Sequence, residues 1–337
     1  MSKQKQKLVI VGAGLSGLYL ANALEEHYDI TILEARNRLG GRIFSIEGHD
    51  MGPSWVWSHH TQILALLKSL DIEIFPQYSK GYALFDTKDM VQRFVPQAMQ
   101  DSFCIEKTLA FLIEKLQKRL KSTNIILNAN VKSIENKEEF LELKSSNESF
   151  KVDKVILALP PRLCAKIDFT PKLEAHKLQK LLNTHTWMGN SAKCVIEFEA
   201  AFWREKGLSG FVFSNQGPLS EIHDACTKEK PALFGFVSSQ ASRDALVENI
   251  KIQLCRIFEI EESQIGNIYF LDWKEEEFTA TKDDVKPLID HPQYGISISH
   301  MNEKILFSST EFSFDEGGYL EGALLRAEEI SKELLKF

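Results

Sequence analysis

Four consecutive apolar residues, Leu8 to Val11, are followed by glycines at 12, 14 and 17. Such a run, rich in β-branched residues and closed by glycine, predicts a strand buried on both faces. Leu15, Leu18, Leu20, Ala21 and Leu24 then recur at helical spacing and predict a helix to about Glu26. "DITILE" predicts a second strand ending at Glu34, and "DKVILALPP" (Asp153 to Pro161) a third buried strand that stops at a proline pair. "ILALLKSLDIEIF" reads as a short helix leading into a strand, and "VKSIENKEEFLELK" as strand, turn and strand. Further strands are expected around 192–199, 210–214 and 232–237, with helices near 172–182 and 241–258 behind their sheet. The last helix is expected to open on "FDEGGYLEGALL", at Gly317-Gly318-Tyr319. Glycine inside a helix costs about 1 kcal/mol relative to alanine, so the doublet implies a close approach to something.

With 337 residues the chain suits two domains better than one core. The pattern predicts an α/β protein of mixed α+β character. A Rossmann-like domain takes residues 1–75, 102–166 and 285–337. A sheet-plus-helices substrate domain takes 76–101 and 167–284. A ligand pocket is expected where they meet.

The first strand and helix carry the earliest chemistry. Strand, G-x-G-x-x-G, helix, strand, acid is a dinucleotide arrangement. Gly12 permits the tight turn, Gly14 lets backbone approach a pyrophosphate, and Gly17 brings the helix close to the sheet. Ser16 lies in the same turn, where the helix end offers free N–H groups. Glu34, 17 residues after Gly17, is placed to bind both ribose hydroxyls.

Composition removes other classes. The net charge is −7 and no Lys/Arg block dominates a face, so nucleic acid is not expected as a partner. "LVIVGAGLSGLYLANAL" after a basic start imitates a leader peptide, but the nucleotide reading accounts for each of its glycines, and no other stretch is apolar enough for a membrane span. Five scattered cysteines without C-x-x-C spacing argue against a disulfide framework or zinc site and suit the cytoplasm. Neither G-x-S-x-G nor H-E-x-x-H is present, and no metal is expected.

A second pattern follows the acid: Glu34-Ala35-Arg36-Asn37-Arg38-Leu39-Gly40-Gly41-Arg42. Gly40 and Gly41 offer a second bare turn, and Arg42 a guanidinium fork for the pyrophosphate; the plainer reading is a polar turn between strands. Together with the first motif this stretch resembles the flavin-containing amine oxidase family, in a short variant of the monoamine and polyamine oxidase type. The resemblance continues through "HDMGPSWVW", where Asp50, Gly52 and Trp55 match and Pro53 replaces a second glycine. It includes Val131, the "WMGNSAKCVIEF" stretch with Lys193, the aromatics Trp273 and Phe278, and Thr310-Glu311 followed by Gly318-Tyr319-Leu320. The family's chains are longer, mainly between positions matching Tyr78 and Phe103, so the lid over the substrate cavity is reduced.

The resemblance implies non-covalent FAD, since no cysteine precedes the expected cage position in "FTATKDD". The residues expected at the cofactor are Gly12, Gly14, Ser16, Gly17, Glu34, Ala35, Arg36, Gly40, Gly41, Arg42, Gly52, Pro53, Ser54, Trp55, Val131, Thr310, Glu311, Gly318, Tyr319 and Leu320. Lys193 and Tyr319 are the catalytic candidates: Lys193 would hold a water at flavin N5, and Tyr319 would form one wall of an aromatic cage. The plain alternatives are a solvated strand lysine and a core tyrosine. Trp57, Phe278 and Tyr319 would meet substrate. The second cage wall falls near Lys282 or Asp283, neither aromatic, so Phe278, Trp187 or Trp57 takes its place or the cage is incomplete. Asp283 reads as a solvated loop residue or as a partner for a distal ammonium. His59-His60, after the Trp loop, read as a helix start rather than as a substrate contact, and His291 and His300 as loop histidines without a clear signal.

The implied activity is oxidation of a small amine's C–N bond by hydride transfer to N5, with imine hydrolysis and reoxidation by O₂, or another acceptor, giving H₂O₂. The alternatives are a renalase-like flavoprotein acting on NAD(P)H isomers, an amino acid oxidase or carotenoid-desaturase relative, and a flavin-binding module without turnover.

Overall fold

Leu8–Val11 lies at the centre of a six-stranded sheet in the computed structural model, which describes residues 5–96, 101–227, 230–284 and 291–336. The strand order is Asn124–Ile126, Tyr28–Leu33, Gln6–Val11, Lys154–Leu157, Ile305–Phe307, Ser299–His300. The first five run parallel and the last antiparallel. Alternation along the central strand assigns its faces. Leu8 and Ile10 pack against the helices Leu15–Leu24, Leu109–Arg119 and Leu320–Leu334. Val9 and Val11 pack on the other side, under a four-stranded sheet that includes Val131–Asn136 and Leu141–Ser145. Burial on both faces is why Leu8–Val11 carries no polar residue, while the polar Gln6 and Lys7 lie at the strand's exposed start.

The second large sheet has seven strands, ordered Ile265–Asp272, Ala192–Phe198, Ala232–Val237, Leu219–Asp224, Leu208–Ser214, Tyr82–Asp86, Val91–Phe94. Helix Leu246–Phe258 covers one face, burying Leu246, Ile250 and Leu254 against Cys194, Ile196 and Leu233. The opposite face, carrying Lys193, Val195, Phe234 and Phe236, turns toward the first domain's loops.

Three details differ from the sequence expectation. Helix Ala175–Asn183 does not lie behind this sheet: it packs on the short helix Pro161–Cys164 and buries Leu181 in the core shared with Val9 and Val155. Its one deeply buried residue is too little to fix its partner from sequence. The last helix begins at Leu320 with Tyr319 as its N-cap, so Gly317 and Gly318 precede it. The shortened stretch after Tyr78 forms strands: Tyr82–Asp86 and Val91–Phe94 extend the seven-stranded sheet, and Ser102–Ile105 pairs with Val56–Trp57 and Ile74–Pro76. Among the described residues no helix is long and apolar enough to cross a membrane.

Candidate functional site

The two glycine turns meet. The Gly40 N–H donates to the Ala13 carbonyl at 2.9 Å, and Gly14 and Gly40 form a parallel bridge. A Cβ on Gly12 would lie 2.6 Å from the Ala158 carbonyl oxygen, and Gly12 has φ +104°, so only glycine makes this turn. Gly17 serves packing: its Cβ would lie 2.0 Å from the Gly12 oxygen, and the residue does not reach the cleft. Gly14 and Gly41 touch each other's turns only at ordinary contact distance and both line the cleft, leaving bare backbone at the uncapped start of helix Leu15–Leu24. No acid occupies that helix's first turn, so its positive end is free for an anion. Glu34 is buried, accepting from the Ala13 and Arg36 backbone N–H groups at 2.9 Å each.

From this end a cleft of ≈ 880 Å³ runs between the two sheets. Except for Gly17 and Glu311, every residue expected at cofactor or substrate lines it. Glu311 is fully buried behind the wall, where it pairs bidentately with Arg42 at 2.6 and 3.0 Å. Burial alone would push the Glu311 carboxyl up; the guanidinium outweighs this and holds it below the usual carboxylate range. Arg42 thus spends its fork on Glu311 and one further bond on the Trp187 carbonyl. The pair ties the second glycine turn to the C-terminal segment. Thr310 also anchors that segment, its hydroxyl donating to the Tyr319 carbonyl at 2.6 Å. Gly52 belongs to the same seam, since a Cβ there would lie 2.0 Å from the Arg42 oxygen.

Lys193 is 2% exposed, on the cleft-facing surface of the seven-stranded sheet. Its Nζ donates to the Gly52 carbonyl at 2.9 Å and to the Ser54 hydroxyl, and sits 4.2 Å from the Phe234 ring centroid. Burial lowers its pKa to about 8, partly offset by the negative charge of Asp50. Burial in turn raises Asp50 to about 6, against hydrogen bonds from Ser45 and the Leu109 N–H and the charge of Lys193.

Tyr319 stands in an aromatic group. His291 stacks on it at 5.5 Å and 13°, Trp187 lies at 6.3 Å, and His60 at 5.5 Å. Trp187 and His291 are themselves 4.2 Å apart. Phe278 is elsewhere: it lies under the Arg36 guanidinium, 5.7 Å away, beside Thr279, which accepts from Arg36. It belongs to the Glu34 end and not to the wall opposite Tyr319. Trp57 lies 6.0 Å from Trp55, on the Lys193 side. Asp283 is exposed and away from the cleft.

The glycine doublet before the last helix answers to these aromatics. A Cβ on Gly317 would lie 2.4 Å from the Tyr294 Cβ; one on Gly318 would lie 3.0 Å from Trp187 Cγ and 3.2 Å from His291 Nε2. Gly318 also has φ +93°. Gly318→Val therefore combines backbone strain of about 1–3 kcal/mol with displacement of Trp187. We expect reduced flavin retention with a smaller loss of thermal stability in the flavin-free protein, read by bound-flavin absorbance and thermal unfolding.

Sequence reasoning missed Glu221 and His223 and set aside His60 and His291. Lys193, Phe236 and Glu221 are directly paired across three adjacent strands, so all three side chains leave the same face. His223, next in that row with Phe234, is stacked between Phe211 and Phe234 and bonds Glu221 at 2.5 Å. The signal in "LSEIHD" was the alternation that puts Glu221 and His223 on one face.

The family pattern described as flavin containing amine oxidoreductase matches residues 94–335, most of the chain. The protein belongs to this family. An NAD(P)-binding Rossmann-like domain pattern matches residues 10–70, over the two glycine turns. Among curated relatives of this amine oxidase, the flavin-containing amine oxidase A of Canis lupus familiaris is 23% identical, over 97% of this chain and 84% of its own. The flavin-containing amine oxidase of Danio rerio is 28% identical, over 99% and 87%. Two solved structures share the fold. A putrescine oxidase bound to putrescine has a TM-score of 0.84, with 19% identity and 99% of each chain covered. The cyclohexylamine oxidase of Brevibacterium oxydans has 0.80, with 16% identity and coverage of 98% and 100%. FAD is the cofactor of the family, and the residues fit it: bare backbone and a free helix end for the pyrophosphate, and a buried carboxylate facing the cleft for a ribose.

Proposed function

We propose that this amine oxidase acts on a small amine bearing a second cationic group, and that Lys193 and Tyr319 flank the reacting carbon. When bound, FAD supplies the two-electron acceptor for C–N oxidation, with water hydrolysing the imine and O₂ serving as final oxidant. The row Lys193–Phe236–Glu221 carries the reading. Two strand spacings, about 10 Å, separate the Lys193 and Glu221 backbones, with an aromatic between them. An amine oxidised beside Lys193 can lie over Phe236 and place a distal ammonium at the Glu221 carboxylate. Trp187 and Tyr319 orient the chain from the other wall. The reacting amine must be neutral, since its lone pair drives hydride loss, so the aromatics serve mainly to orient it.

None of the five cysteines lines the cleft, which supports non-covalent FAD. That all five are free supports a reducing, cytoplasmic setting. Anaerobic mixing of the yellow protein with mono-, di- and polyamines tests the substrate class. Diamines should bleach the flavin at lower concentration than monoamines of equal length. Glu221→Gln should raise the diamine requirement by about tenfold, the scale of one lost charge-assisted bond, and leave monoamines unchanged. Equal use of both amine classes by the wild-type protein contradicts the role of Glu221. Bleaching by reduced nicotinamide isomers alone replaces the reading with the renalase-like one.

A further inference from the structure

The sequence offers no recognised metal spacing, yet the fold gathers His59, His60 and Glu316 at the cleft rim. Their ligand atoms all lie within 4.8 Å of one another. His60 Nε2 is 3.0 Å from one Glu316 oxygen, and His59 Nε2 is 3.5 Å from the other. Four-coordinate zinc with ligands at about 2.0–2.1 Å spaces neighbouring donors by about 3.3 Å, and each histidine lies close to that spacing from one of the two Glu316 oxygens. The His59 side chain is 45% exposed, and its rotation can close the third side. Two imidazoles and one carboxylate form a donor set suited to zinc, copper or nickel and poor for magnesium or calcium.

Both segments that bring the ligands are fixed independently of them. The Glu321 carboxylate accepts from the Gln62 and Ile63 N–H groups at 2.8 Å each, locking the last helix to the start of helix Thr61–Ser69. Glu316 is held at φ +52°, and its carbonyl accepts from the Tyr319 N–H at 3.1 Å. A Cβ on Gly322 would lie 2.3 Å from that same carbonyl oxygen, so the turn packs directly on the backbone of the last helix. The cluster also touches the chemistry: His60 lines the cleft and its ring is 5.5 Å from that of Tyr319.

We propose that His59, His60 and Glu316 form an inhibitory site for a divalent transition-metal ion at the cleft rim. One ion, with water completing its shell, would hold His60 and Glu316 together beside Tyr319 and hinder entry of the amine. The inhibition rests on the amine-oxidation reading; the binding does not, and it is measured without amine.

Zinc is the probe, titrated calorimetrically into the flavin-loaded protein in a non-chelating buffer and then into an amine turnover assay. One ion per chain should bind saturably, and turnover should fall over the same concentration range. His59→Ala, outside the cleft, should keep metal-free turnover and melting temperature but bind zinc at least about tenfold more weakly, with the inhibition lost. Glu316→Gln should weaken binding in the same direction. Absence of saturable uptake by the wild-type protein overturns the proposal. So does equal uptake by all three proteins, which would place the zinc elsewhere, and so does uptake that leaves turnover unchanged.

Discussion

Lys193→Met should lower amine turnover by roughly 10²–10⁴-fold, the range for removing one positioned proton-transfer group, while the protein stays folded and flavin-loaded. The separation follows from burial. Lys193 is almost completely enclosed among Phe234, Gly52 and Ser54. A buried charge of this kind is weak evidence of a stabilising role, and a well-packed apolar residue of similar volume is often neutral or better. Its chemistry depends on protonation. With a pKa of about 8 the amine is a cation below that pH and neutral above it. The neutral amine has two hydrogens, which satisfy the Gly52 carbonyl and the Ser54 hydroxyl, and a lone pair left to accept from water in the cleft. Turnover at saturating amine should therefore rise as pH passes through about 8, and the step should be absent from Lys193→Met. A variant with unchanged rate and an unchanged pH profile would reduce Lys193 to a packing residue.

Arg42→Ala should destabilise the protein by about 3–5 kcal/mol, the usual cost of removing one partner of a buried ion pair, and should empty most of the flavin site. Glu311 is completely buried, and without Arg42 its charge keeps neutral partners, among them the Ser309 hydroxyl and the Trp187 N–H, but loses its countercharge. Burial, no longer opposed by the guanidinium, would then push the carboxyl up, the reverse of its present depressed state. Arg42→Lys should fall between the two, because a single ammonium cannot make the bidentate contact. Chemical denaturation with parallel flavin quantification checks both effects. A loss of flavin with wild-type stability would mean that Arg42 acts on the cofactor directly and not by fixing the wall.

The local parts of this site were legible because their signals are local. Gly17 meets its constraint at the Gly12 oxygen within one turn, Gly12 needs its own positive φ, and the run Leu8–Val11 before them is buried on both faces and so stays apolar. Lys193 could be placed on a strand but not on a face, because period-two alternation says which residues share a side and not which side is dry. The pairing of Arg42 with Glu311 joins residues far apart in the chain. Both had been assigned to the cofactor, although only Arg42 lines the cleft. Phe278 lines the cleft at its Arg36 end, which spacing from Trp273 does not show, because the intervening 3-10 turn sets its direction. Glu221 carries no motif, and only the register with Phe236 and Lys193 reveals it. The glycines at 317 and 318 were correctly marked as sites of close approach, but Tyr294, Trp187 and His291 make that approach.

The most direct test of the account is anaerobic reduction of the flavin-loaded wild-type protein by a short diamine, followed by flavin absorbance, with admission of air afterwards. The account predicts full bleaching by the diamine at concentrations where the matching monoamine bleaches little, and return of the oxidised spectrum with hydrogen peroxide on admission of air. A flavin that no amine bleaches would contradict it.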